Sequence, residues 1–172
     1  AELLARASEL DPEDRDLLME LSDAYSASGR GAEAVEVLQK VVESFAGKRS
    51  KEVAEIHRRL ATAHLSQGDT EKALDELNKA FRIEPGNVHV LKQLGDLAYQ
   101  TEDYKNAQKM YLALRLQKLD DSSPVTKAEV FCRLGQIHQK LGELPKAKQN
   151  FERALQLDES LEDAKRGLEE LG

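Results

Sequence analysis

Apolar residues along this chain recur at spacings of three and four, in paired blocks separated by short polar breaks. In the clearest block Ile56, Leu60, Ala63 and His64 share one helical face. After a break at Gly68-Asp69, the residues Ala73, Leu74, Leu77, Ala80 and Phe81 share another. That spacing predicts two amphipathic helices, each with one face turned to a core. Gly68 can take the positive φ that ends the first helix, and Asp69 is placed to cap the second.

The block is one of four. Leu21-Ser22-Asp23-Ala24-Tyr25 leads to Gly29 and Ala34, and Leu60-Ala61-Thr62-Ala63-His64 leads to Gly68 and Ala73. Leu94-Gly95-Asp96-Leu97-Ala98 leads to Ala107, and Leu134-Gly135-Gln136-Ile137-His138 leads to Gly142 and Ala147. Equivalent starts fall at Arg15, Ala54, Val88 and Ala128, so the steps are 39, 34 and 40 residues. Ala61, Gly95 and Gly135, facing Ala34, Ala73, Ala107 and Ala147, let paired helices approach closely, and larger residues there would overpack the seam. Pro145 falls in a first helical turn, where its missing N–H costs little. The third unit has Glu102 where its neighbours have Gly29, Gly68 and Gly142. The long steps add residues around 46–50 and 120–124, both turn-forming compositions. Flanking helices extended by a turn are expected there, with a superperiod of about two units.

These four units resemble the tetratricopeptide repeat (TPR) family, a helix-turn-helix unit of 34 residues. The resemblance covers nearly the entire chain. It is tightest in the second unit, where Leu60, Ala61, Gly68, Ala73, Leu77, Ala80 and Pro85 stand where the family's pattern wants a large apolar, small or turn residue, while His57 departs from it. The fold it implies is all-α: a right-handed alpha-solenoid of stacked antiparallel helix pairs, the TPR superhelix. The expected organisation is a single array over 1–172, with repeats at 15–48, 54–87, 88–121 and 128–161. Residues 1–12, "AELLARASELDP", align with the second helix of a preceding repeat, which suggests a fragment of a longer array. Leu161, Ala164, Leu168 and Leu171 form one apolar stripe, suiting a capping helix over 161–172 or, equally, the start of a fifth, weaker unit.

Composition narrows the functional classes. The formal net charge of -7 argues against a phosphate-tracking surface, so no nucleic acid is expected. Hydrophobic residues at 40% and charged residues at 33%, with four prolines and ten glycines, suit a mostly helical protein rather than a disordered one. One cysteine makes no internal disulfide, and no apolar run approaches the roughly 18 residues of a membrane span, so no membrane insertion and a cytoplasmic location are expected.

Two residues invite a chemical reading. Cys132 precedes His138 by six positions, but six helical residues turn about 240°, leaving the side chains some 120° apart. Cys132 aligns with Met19, Arg58 and Lys92, and His138 aligns with Tyr25, His64 and Ala98, which sends the thiol toward an open groove and the imidazole toward a helix seam. No helical zinc spacing, glycine-rich phosphate loop or serine elbow is present, so no catalytic residue, metal or cofactor is expected.

What remains is surface recognition. In the TPR family the first helices line a concave groove, and the resemblance places the inward positions at Asp16, Met19, Asp23 and Ser26, then Glu55, Arg58, Thr62 and Leu65, then His89, Lys92, Asp96 and Tyr99, then Glu129, Cys132, Gln136 and Gln139, with Arg59 and Arg133 beside them. Arg58, Lys92 and Arg133 read as a basic cluster, with Tyr99 as an aromatic anchor. The family's two-carboxylate clamp for acidic chaperone tails is incomplete here: Arg58 and Arg133 stand at two of its places, but Thr62, Gln93 and Glu129 at others. The expected function is a non-enzymatic interaction module or scaffold for a protein or peptide partner, acidic in character. The alternatives are self-assembly through the repeat ends, intramolecular docking, or a regulatory domain attached to an enzyme.

Overall fold

The computed structural model describes residues 2–11 and 13–172, which form ten α-helices and no strand. Ala1 and Pro12, part of the expected leading half-repeat, lie outside the described residues. The helices divide into two compact units, 1–85 and 86–172.

The first unit holds α1 (Glu2–Leu10), α2 (Arg15–Ala27), α3 (Gly31–Ser44), α4 (Lys51–Ser66) and α5 (Thr70–Ile83). Its starts are set by capping side chains: Asp14 accepts from the Leu17 amide at 3.0 Å, Ser50 from Val53 at 3.3 Å and Asp69 from Lys72 at 3.1 Å. Each satisfies an amide that the helix itself cannot. Successive helices pack on one another, and Leu38, Val41, Phe45, Val53, Ile56 and Leu60 form one buried cluster. Leu4 and Ala5 of α1 lie against a second cluster of Leu21, Tyr25, Ala34 and Ala63.

The second unit holds α6 (Val88–Gln100), α7 (Tyr104–Arg115), α8 (Lys127–Lys140), α9 (Leu144–Leu157) and α10 (Glu162–Leu171). Asn87 and Asp103 cap α6 and α7, and Thr126 with Glu129 closes a reciprocal capping box on α8. The predicted small-residue seams are tight: a Cβ built on Gly95 would meet the Tyr111 ring at 2.6 Å, and one on Gly135 would meet Phe151 at 2.6 Å. Leu161, Leu168 and Leu171 pack, with buried Ala164, against the cluster around Cys132 and Phe151, so α10 covers α8 and α9.

The two long steps are accommodated differently. At the first, α4 gains a turn and runs 16 residues, as expected, and Phe45 turns back into the core. At the second the expected extension does not occur. The 12-residue α7 stops at Arg115, and residues 116–126 form a loop. Pro124 disfavours helical backbone in the residue before it, and Asp120 draws the Ser122 amide and hydroxyl into a turn. Lys127 then ties the loop down by donating to the carbonyls of Arg115 and Gln117.

Glu102 shows what the missing glycine costs. Its φ of 62° matches the 74°, 75° and 74° of Gly29, Gly68 and Gly142, a region that side chains with a Cβ resist. Glu102→Gly is therefore expected to stabilise the protein by about 0.5–1 kcal/mol, read as a raised urea midpoint at unchanged slope.

Candidate functional site

The first helices of the helix pairs carry the expected inward residues, and most of the charges on them are already engaged. In the first unit, Arg58 on α4 donates to both carboxylate oxygens of Glu55 at 2.7 and 2.6 Å. Arg59 donates to Glu55 at 2.9 Å and crosses to α2, reaching Asp23 at 2.6 Å and the Met19 carbonyl at 3.0 Å. Burial pushes the Glu55 carboxyl up, but the hydrogen bonds from Arg58 and Arg59 hold it below its ordinary value, so it stays ionised. The Thr62 hydroxyl is turned back to the Arg58 carbonyl at 3.3 Å.

In the second unit the same positions build a denser network. Asp96 on α6 accepts from Lys92 at 2.7 Å and from the Tyr111 hydroxyl at 2.5 Å, and Arg133 on α8 stands 3.9 Å from it. Arg133 also donates to Gln136 at 2.8 Å and lies over the Tyr99 ring, 4.9 Å from its centre. Tyr99 meets Tyr104 edge-on at 5.5 Å, which holds that platform in place. Tyr111 is buried, and its hydroxyl is held protonated by that burial and by the hydrogen bond to Asp96. His89 is exposed on the first turn of α6.

Beside this network lies a cleft of about 190 Å3 between α6, α8 and the start of α10. Its walls carry Lys92, Arg133 and Gln136, with Glu129 and Asp163, and its apolar lining comes from Tyr111, Val125, Cys132 and Leu161.

Two expectations change here. The basic cluster of Arg58, Lys92 and Arg133 is not a set of unengaged cations, because Glu55 and Asp96 stand against it. Cys132 does line the cleft, but it is only 5% exposed: Leu161 and α10 cover what the alignment presents as an open thiol. Burial pushes that thiol up to about 11, with Asp163 adding to the effect. Thiol reagents at pH 8 are expected to modify native Cys132 far more slowly than urea-unfolded protein, as read by the release of a chromophore from an aromatic disulfide.

His138 occupies the seam as expected, 5% exposed, with Nε2 3.3 Å from the Gln108 amide and Nδ1 3.9 Å from Glu143. Burial lowers its pKa below the ordinary 6.5, against the pull of Glu143 and with a further push from Lys146. The folded state therefore binds this proton less readily than the unfolded chain. The stability contributed by neutral His138 is full above about pH 6.5 and falls as the pH drops below that. Urea unfolding is expected to show this loss as the pH is lowered below about 6.5, and His138→Gln to remove that part of the dependence.

Sequence reasoning missed Tyr111, which aligns with Leu38, Leu77 and Phe151. A lone hydroxyl among apolar equivalents was the available signal. Among the described residues, no group of three or more His, Cys, Asp or Glu side chains is placed to hold a metal, and no helix is long and apolar enough to cross a membrane.

A chain of successive helix pairs with small-residue seams and polar first-helix faces defines a helical repeat protein. The family is shown directly: tetratricopeptide repeat models match residues 14–83, 64–129 and 128–161, and the chain belongs to that family. It is 28% identical over 125 residues to the heat shock protein STI1 of Saccharomyces cerevisiae, covering 69% of this chain and 19% of that protein. It is 25% identical over 161 residues to the human protein O-mannosyl-transferase TMTC1, covering 91% of this chain and 17% of that one. With the type IV pilus assembly protein PilF of Pseudomonas aeruginosa it shares 27% identity over 146 residues, 85% of this chain and 54% of PilF. A solved PilF structure superposes with a TM-score of 0.74 at 24% identity, over 93% of this chain and 68% of that one, which shows the common fold. This chain thus spans less than a fifth of STI1 and of TMTC1 and about half of PilF.

Proposed function

We propose that this chain is a non-enzymatic protein-interaction module, a scaffold that receives a protein or peptide along the faces of α2, α4, α6 and α8. On this reading the helix pairs at 15–48, 54–87, 88–121 and 128–161 act as one array, and any chemistry of the parent protein lies outside them. Within each unit, side chains at the inward positions of the first helices are pinned by hydrogen bonds before any partner arrives, and this observation carries the reading. Pinned polar groups lose little freedom on binding, which favours recognition. PilF is by its name an assembly protein, which agrees. TMTC1 is by its name a transferase, but it is matched over only 17% of its length.

The Arg58, Arg59, Lys92 and Arg133 side chains, with Thr62, His89, Asp96, Tyr99 and Gln136, are the proposed contact set; Cys132, covered by Leu161 and α10, drops out of it. An acidic partner would have to compete with Glu55 and Asp96 for these cations, so its charge preference turns on those two carboxylates.

Steric blocking tests the proposal without presuming the partner's charge. Immobilised wild-type protein is used to capture and identify a partner by mass spectrometry. Capture is then repeated with Thr62→Trp plus Gln136→Trp, and with Glu71→Trp plus Glu152→Trp on the second helices, after circular dichroism shows unchanged helix content. Loss with the first pair and retention with the second is the expected result; the reverse would sink the proposal.

A further inference from the structure

We infer that a cleft on the second helices of the second unit, between the end of α7 and the exposed face of α9 with Phe131 of α8 in its lining, is a further docking surface whose occupant is an acidic peptide segment of a partner. The inference goes beyond the first-helix reading above and does not depend on it.

The cleft has a volume of about 470 Å3, and its lining carries Arg115, Arg153 and half-buried Phe131, with Glu152 as its one carboxylate among the described residues. Arg153 is steadied by a hydrogen bond to Gln156 at 2.8 Å, and among the described residues no carboxylate pairs with either guanidinium. Lys127 donates to the carbonyls of Arg115 and Gln117, so the negative end of α7 is already met by an ammonium group. On the first-helix faces an incoming anion must displace Glu55 from Arg58 or Asp96 from Lys92. Here it displaces no internal partner, and the charge it meets is net positive.

The sister helices lack this uncompensated charge. Arg153 aligns with Lys40 on α3 and Lys79 on α5. There the lysine meets a carboxylate four residues earlier, Lys40 with Glu36 at 3.1 Å and Lys79 with Asp75 at 2.8 Å, and Glu76 gives Lys79 a second contact at 2.8 Å. In α9 the residues aligned with Asp75 and Glu76 are Gln149 and Asn150, amides that leave the guanidinium charge in place. Arg115 departs in another way, standing where the other units have Val42, Phe81 and Leu155. Two separate departures thus bring two unpaired guanidiniums to one cleft. Arginine binds carboxylates through paired N–H groups, and the Phe131 ring offers apolar contact to the segment's chain, so an acidic peptide suits the lining. A nucleic acid suits it less, since two cations beside a carboxylate fall short of a row of phosphate contacts.

The test uses the full chain and three fluorescein-labelled probes: a short peptide alternating glutamate with glycine, its glutamine counterpart, and an oligothymidylate. Affinity is read by fluorescence anisotropy at low salt, and the site by amide NMR signals around Arg115, Phe131 and Arg153. The glutamate peptide is expected to bind, to move those signals and to weaken as salt is raised, with the glutamine peptide about tenfold weaker. Gln149→Glu restores the sister helices' carboxylate beside Arg153, and Arg115→Leu restores their apolar residue. Each is expected to weaken glutamate-peptide binding by about tenfold, at a helix content that circular dichroism shows to be unchanged. An affinity unmoved by either variant, a glutamine peptide that binds as well, or no binding of the glutamate peptide at millimolar concentration overturns the inference. So does tighter binding of oligothymidylate at the same signals, which would make the surface a nucleic-acid site. Glutamate-peptide shifts confined to the surroundings of Thr62, Tyr99 and Gln136 overturn it too, while leaving the first-helix reading standing.

Discussion

Phe151→Ala is expected to lower the stability of the second unit by about 3–5 kcal/mol, measured as a fall in urea midpoint, the largest effect of any single truncation considered. Phe151 is fully buried, and its ring fills the space left by two glycines: a Cβ on Gly135 or on Gly167 would collide with it. The ring therefore joins α9 to α8 on one side and to α10 on the other. Removing it leaves a cavity that helices held by their own backbones cannot close. The same geometry makes Gly135→Ala destabilising by about 1–3 kcal/mol in wild type and much less so beside Phe151→Ala, because the added methyl group then occupies vacated space. Additive losses in that double variant would contradict the packing described here.

Asp96→Ala is expected to cost about 2–3 kcal/mol, and Asp96→Asn distinctly less. The difference comes from Tyr111. Its hydroxyl is buried and donates to Asp96, so alanine leaves a donor with no acceptor, whereas asparagine keeps one. Lys92 and Arg133 add little to the loss, since both reach solvent and can rehydrate. Tyr111→Phe placed on Asp96→Ala is expected to recover part of the stability, because it removes the orphaned hydroxyl. If thermal unfolding shows no recovery, the hydrogen bond is not what ties α6 to α7 at this point.

The helix pairs were legible because their causes are local. The apolar spacing, the Asp14 and Asp69 caps, Gly68 and the small residues of the seams all act within a few turns, and four aligned units show each of them more than once. The second long connection was misread because composition alone does not say whether extra residues join a helix. Lys51, Glu52 and Val53 extend α4 back to its Ser50 cap, while Pro124 and the Asp120 turn stop the same thing at α8. The charge state of the inward faces was misread for a different reason. Alignment assigns a residue to a face but not to a partner, and the Arg59–Asp23 and Arg133–Asp96 pairs bring together residues from different helix pairs. Part of the signal was present all the same: Lys92 and Asp96 are four apart, and Glu55 and Arg58 three apart, the spacings at which helical side chains meet. The cover over Cys132 comes from Leu161 and α10, which pack on the cluster that holds it.

The central claim is that a partner docks on the first helices of the repeats. Hydrogen–deuterium exchange on the full chain with and without the captured partner tests it most directly. The account predicts slowed exchange concentrated in α4, α6 and α8, around Thr62, Tyr99 and Gln136. Protection confined to α5, α7 and α9, with those three segments unchanged, would contradict it.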